Sequence, residues 1–100
     1  MVEVTQLNVN GQAVQGVRIV APGGEGHPNM IVIQCKNGYI MCGYLNAEIA
    51  EKFGDAACIV GGAAFEETLA NPVKAVTPAA AALGVEIGMT GAEAVEKLNA

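Results

Sequence analysis

Apolar and polar residues alternate along the first half of the chain and recur at helical spacing along the second. In "VEVTQLNV", Val2, Val4 and Gln6 fall on one side and Glu3, Thr5 and Leu7 on the other, an imperfect period of two that predicts a strand. Asn10-Gly11 follows, a pair that tolerates positive φ and closes type I′ hairpins. The return segment "QAVQGVRIVA" sets Val17, Ile19 and Ala21 on one face and Arg18 on the other. Gly16 inside it predicts a bulge or a close backbone approach. Beyond the loop "PGGEGHPN", Pro22 to Asn29, two more strands, "MIVIQCK" and "YIMCGYL", flank Asn37-Gly38, a second hairpin signal.

The second half carries helix punctuation. Asn46 is an N-cap for "AEIAEKF", in which Ile49 and Phe53 lie four apart, Glu48 and Lys52 form an i,i+4 pair, and Gly54 supplies the stop. "CIVGG" reads as a short buried strand and "FEETLA" as a helix of a turn or two, ended by Asn71-Pro72. Thr77 caps "PAAAA" with Pro78 at its first position and Gly84 after it. "VEIGM" reads as a last edge strand. A capping box, Thr90 to Glu93, opens a final helix with a stripe of Ala94, Val95 and Leu98. Together these predict an α+β fold, one domain over residues 1–100. Its mainly antiparallel sheet is built from hairpins in the N-terminal half and packs against short helices from the C-terminal half.

Composition narrows the partners. Hydrophobic residues make up 52% of the chain and charged ones 15%, against about 25% charged in ordinary soluble domains. So little polar material leaves apolar surface uncovered after folding, and self-association is its expected use. The net charge is −5, and Arg18, Lys36, Lys52, Lys74 and Lys97 are widely spaced. Nucleic acid and anionic membranes, which need clustered cations, are therefore disfavoured. No apolar run approaches the roughly 20 residues that span a bilayer. "MVEVTQLNVN" shows no signal-peptide pattern, so the expected location is cytoplasmic. Three irregularly spaced cysteines predict free thiols rather than a disulfide framework.

The densest chemistry lies in "KNGYIMCGYLN", Lys36 to Asn46. A two-residue turn at Asn37-Gly38 would pair Cys35 with Ile40 and Ile33 with Cys42, placing Cys42 among isoleucines on a core face. Cys35 and Cys42 would then be diagonal neighbours, about 7–8 Å apart and too far for an unstrained disulfide. Cys42 is the candidate nucleophile, with Tyr39, Tyr44 and Asn46 as hydrogen-bonding ligand contacts, although period two points Tyr39 away from it. The helix after Asn46 starts about 13 Å along an extended chain, too far to lower the thiol's pKa directly. The only histidine, His27, sits in the preceding loop. With no C-x-x-C or H-x-x-x-H unit, no metal site and no cofactor are expected. Gly61-Gly62 resembles a phosphate-binding turn, but it lacks the P-loop ending, and Glu66 and Glu67 would repel an anion.

At "GYIMCGYL", Gly38 to Leu45, and at Gly88, Met89, Thr90, Gly91, Glu93 and Ala94 the chain resembles the YunC-like family of small bacterial and archaeal domains of unknown function. The resemblance implies a compact α+β fold and no established activity or cofactor. Where that family usually has Asp, this chain has Asn46, which keeps the helix cap and removes a carboxylate. Three functions stay open: a non-catalytic binding or assembly module acting as a homo-oligomer, an enzyme or thiol-dependent small-molecule site at Cys42, and anion or nucleotide binding at Gly61-Gly62.

Overall fold

Asn10 and Gly11 take φ values of 51° and 84°, the left-handed pair a type I′ turn requires. They join β1 (Val2–Val9) to β2 (Gln12–Ile19) in an unbroken antiparallel ladder. β3 (Met30–Gln34) and β4 (Tyr39–Met41) continue the antiparallel order. A crossover through α1 (Ala47–Lys52) then lays β5 (Ala57–Val60) parallel to β4. After α2 (Phe65–Ala70), β6 (Val73–Val76) returns antiparallel to β5, and α3 (Pro78–Ala82) and α4 (Gly91–Leu98) finish the chain. The computed structural model describes residues 1–100, with strands in sequence order across one six-stranded sheet.

Period-two parity gives the sheet two unequal sides. One holds the main core: Val14, Ile31, Ile33, Ile40, Cys58 and Val60, packed on Ala94, Val95 and Leu98 of α4 and flanked by Phe65 and Leu69 of α2. The other side is covered only over β4 and β5, where Ala50 of α1 packs on Met41 and Ala57. Over β1–β3 this outer side carries no helix.

Local punctuation agrees with the sequence at most helix ends. Asn46 accepts from the Glu48 N–H, Thr77 from the Ala80 N–H, and both halves of the Thr90–Glu93 capping box are formed. Gly54 and Gly84 hold positive φ where their helices stop.

Four expectations are corrected. The β3–β4 turn is centred on Lys36–Asn37, with Cys35 opposite Gly38, one residue earlier than the Asn37-Gly38 pair predicts. α4 dictates this: the Asn37 N–H donates to Leu98 O at 2.9 Å, its side-chain amide to Ala100 O at 2.7 Å, and the Lys36 N–H to Asn99 Oδ1 at 2.7 Å. Because the strand register moves by a whole residue pair, parity survives and Cys42 still faces inward beside Ile31, its backbone N–H donating to Ile31 O at 3.0 Å. Cys35 and Cys42 therefore lie at opposite ends of the hairpin and are not diagonal neighbours. The last strand is Val73–Val76, whereas "VEIGM" is a turn with Gly88 at φ 97°. α1 buries Ala50 and leaves Ile49 and Phe53, four apart, 55% and 79% exposed. Glu48 and Lys52 form no ion pair, and the salt bridge present is Arg18–Glu3 at 3.0 Å. Of the two expectations for Gly16 the close approach holds: a Cβ there would meet the Phe65 ring at 2.7 Å, and the β1–β2 ladder runs without a bulge.

Candidate functional site

β4 and β5 are adjacent and parallel, yet the chain leaves their carboxyl ends toward opposite sides: α1 packs on the outer side and α2 on the core side. Diverging connections of this kind open a crevice at the strand ends, the place where open α/β sheets bind ligands. Here a cleft of about 460 Å³ is lined by Cys42, Gly43 and Tyr44 after β4, Gly62 and Ala63 after β5, and Pro28 and Asn29 before β3. That volume falls in the range of small-molecule pockets.

The walls are fixed by amide clamps. Asn29 accepts the Ala21 N–H at 3.0 Å and donates to Ala63 O at 2.9 Å, tying the end of the Pro22–Asn29 loop to the segment after β5. Asn71 donates to Gly61 O at 2.9 Å from the far end of α2. The Tyr44 hydroxyl donates to Pro28 O at 3.2 Å and closes one side. Gly62 sits at φ 146°, and a Cβ there would meet Thr68 Oγ1 at 2.8 Å, so this turn requires glycine for its own packing.

The sequence candidates divide between two places. Cys42, Tyr44 and Gly62 meet in the cleft, with Gly61 adjacent. Tyr39 and Asn46 lie on the outer side instead, beside α1 with Ile49 and Phe53. The Tyr39 hydroxyl donates to Asp55 Oδ2 at 2.7 Å. Burial first, then that hydrogen bond and the carboxylate's charge, push the phenol up to about 12. The cleft has no charged lining residue, and Cys42 itself is buried. His27 is exposed in the loop, near Gly23. Burial raises the Cys35 thiol to about 11 and, with a smaller contribution from Cys35, the Cys58 thiol to about 12. Neither is activated as a nucleophile. No three His, Cys, Asp or Glu side chains gather where they could hold a metal ion.

One surface escaped the helix-stripe reading. On the outer side of β1–β3, Val4, Val17 and Val32 face one another in register, and the next row is Gln6, Gln15 and Gln34. No Asp, Glu, Lys or Arg occupies this side of these three strands. Val2 and Val4 are 63% and 57% exposed. The signal was present in the sequence: Val2, Val4, Val17 and Ile19 alternate with Glu3 and Arg18, which pair with each other on the core side.

A family model described as a domain of unknown function, DUF1805, matches residues 41–98. The chain is 33% identical over 103 residues to the uncharacterised protein YunC of Bacillus subtilis, covering 98% of each. Its structure resembles the crystal structure of a protein of unknown function from Thermoplasma acidophilum, with a TM-score of 0.87 and 27% identity over 99% of this chain and 94% of the other.

Proposed function

The chain belongs to the DUF1805 family of domains of unknown function, and from that premise we propose that it is a non-catalytic binding and assembly module working as a homo-oligomer in the cytoplasm. The observation that carries this reading is the uncharged outer side of β1–β3. Four of the eight large apolar side chains left exposed, Val2, Val4, Ile49 and Phe53, belong to this side or to α1 beside it. A contiguous apolar patch of that kind on a small chain marks an interaction surface. A homo-oligomer meets it without charge compensation, which a net charge of −5 elsewhere would otherwise demand of a partner. Three unpaired cysteines suit a reducing compartment. Size-exclusion chromatography with light scattering tests the reading: a mass of two or more chains is expected, and a strict monomer at high concentration would sink it.

A second reading has its own support, the convergence of Cys42, Tyr44 and Gly62 on one cleft at the ends of β4 and β5. There the domain would take a small uncharged molecule, with Cys42 at the base and Tyr44 as the wall. Anion and nucleotide binding at Gly61-Gly62 has less support, because α2 is short, carries Glu66 and Glu67 in its first turn, and has no cation lining the cleft. Alkylation of the native protein at neutral pH, mapped by mass spectrometry, separates these. A modified Cys42 supports a ligand-reachable thiol; a Cys42 that reacts only on unfolding removes it.

A further inference from the structure

We infer that the homo-oligomer is a two-fold dimer in which the outer sides of β1–β3 pack face to face around an axis parallel to the strands, with α1 of each copy walling the partner's β1 edge. The inference rests on the homo-oligomer reading and supplies its geometry.

Sterics select the axis. α1 covers the outer side over β4 and β5. A helix is about 10 Å across. Stacked sheets lie about 10 Å apart. α1 therefore stands one sheet layer high, and a partner sheet fits only over β1–β3. A two-fold axis across the strands would set β1 on β1 and drive α1 into the partner's β4 and β5. An axis along the strands sets β1 over the partner's β3 and β2 over its own copy. It sends the two α1 helices to opposite edges, each beside the partner's β1.

The same axis matches the side chains. It leaves position along the strand unchanged, so the row Val4, Val17 and Val32 meets its own copy, and so does the row Gln6, Gln15 and Gln34. Each glutamine amide both donates and accepts, so an amide row is self-complementary where a charged row would repel itself. The aliphatic rows meet as two sheet faces of a sandwich do.

Area explains the wall. Two eight-residue strands about 27 Å long and one five-residue strand about 17 Å long, each about 4.8 Å wide, give a floor of about 340 Å². A standard interface takes about 800 Å² from each partner. Ile49 and Phe53, on the flank of α1 that faces Tyr39 and Met41, add the second surface when the partner's β1 comes to rest against them. The contact also covers β1, which is an unpaired edge.

The test uses two single-cysteine chains in a Cys35→Ser, Cys42→Ala, Cys58→Ala background, one Val4→Cys and one Val32→Cys, with a short bis-maleimide. Each chain alone and the mixture are cross-linked beside light scattering of the untreated protein. Expected is a two-chain product that appears in the mixture, joins position 4 of one chain to position 32 of the other, and is absent from either chain alone. Self-linking of Val4→Cys overturns this axis, as does a light-scattering dimer that gives no mixed product. A monomer in light scattering removes the homo-oligomer reading itself. Both substitutions lie on the exposed side, and circular dichroism confirms their fold.

Discussion

The hydroxyl of Thr77 donates to the carbonyl of Asp55 at 2.7 Å, although the two residues are 22 apart in sequence. The same oxygen accepts from the Ala57 N–H at 3.0 Å and from the Ala80 N–H at 3.3 Å. Thr77 is thus both the cap of α3 and the tie that holds the start of β5. It is almost wholly buried. Thr77→Val keeps the shape and strands these groups away from water, which costs about 1–3 kcal/mol. Thr77→Ser keeps the hydroxyl. The expected order of urea midpoints is wild type, then Ser, then Val well below. A Val variant as stable as wild type would show that the tie carries no net energy.

The limits of the sequence reading have the same origin. Caps, the type I′ turn at Asn10-Gly11 and the inward parity of Cys42 are local properties, legible in a few residues. The turn at Lys36–Asn37 is decided by Leu98, Asn99 and Ala100 from the other end of the chain, and no local pattern foretells it. The i,i+4 spacing of Ile49 and Phe53 is legible, but which face α1 buries is not: it turns its alanines to the sheet. The cleft was half legible: Cys42 and Tyr44 stand out as a block, while their meeting with Gly62 depends on the parallel placement of β5.

Charge on the outer side of β2 bears directly on assembly. Val17 lies in the middle row of the proposed interface and points away from the core. Val17→Lys puts one ammonium near its own copy across the two-fold axis. The dimer dissociation constant is expected to rise at least about tenfold, equal to about 1.4 kcal/mol. Far-ultraviolet circular dichroism should not change. Sedimentation equilibrium reads the effect, and an unchanged constant would place the interface elsewhere.

Alkaline pH should weaken the fold through three groups. Tyr39 is pushed up to about 12 by burial and by Asp55, Cys58 to about 12 and Cys35 to about 11, mainly by burial. Each binds its proton more tightly in the folded chain than in the unfolded one. Their stabilising contribution is complete below the unfolded values, near pH 9 for the thiols and pH 10 for the phenol, and is lost as pH rises through 11 to 12. Denaturant midpoints should fall over that window. Tyr39→Phe should make the fall shallower without removing it. An identical slope in the variant would show that the Tyr39–Asp55 contact is not formed.

Gly91 offers a prediction whose sign separates packing from propensity. It is the first residue of α4, and a Cβ there would meet Thr68 O of α2; it would also lie 3.0 Å from Leu69 Cα. Helix propensity alone favours Gly91→Ala by up to about 1 kcal/mol. The close approach opposes it, because both obstacles are backbone and yield only if α4 moves off α2. Overpacking of this kind costs about 1–3 kcal/mol. Packing should therefore win, and the melting temperature of Gly91→Ala should drop by several degrees, at about 4–8 °C per kcal/mol for a chain of this size. Gly43→Ala is the control. Its Cβ would meet nothing within 4 Å and its φ is not positive, so stability should stay within about 0.5 kcal/mol of wild type. A Gly91→Ala variant that melts higher than wild type would mean that the two helices do not touch backbone to backbone, and the packing of α4 on the sheet would have to be redrawn.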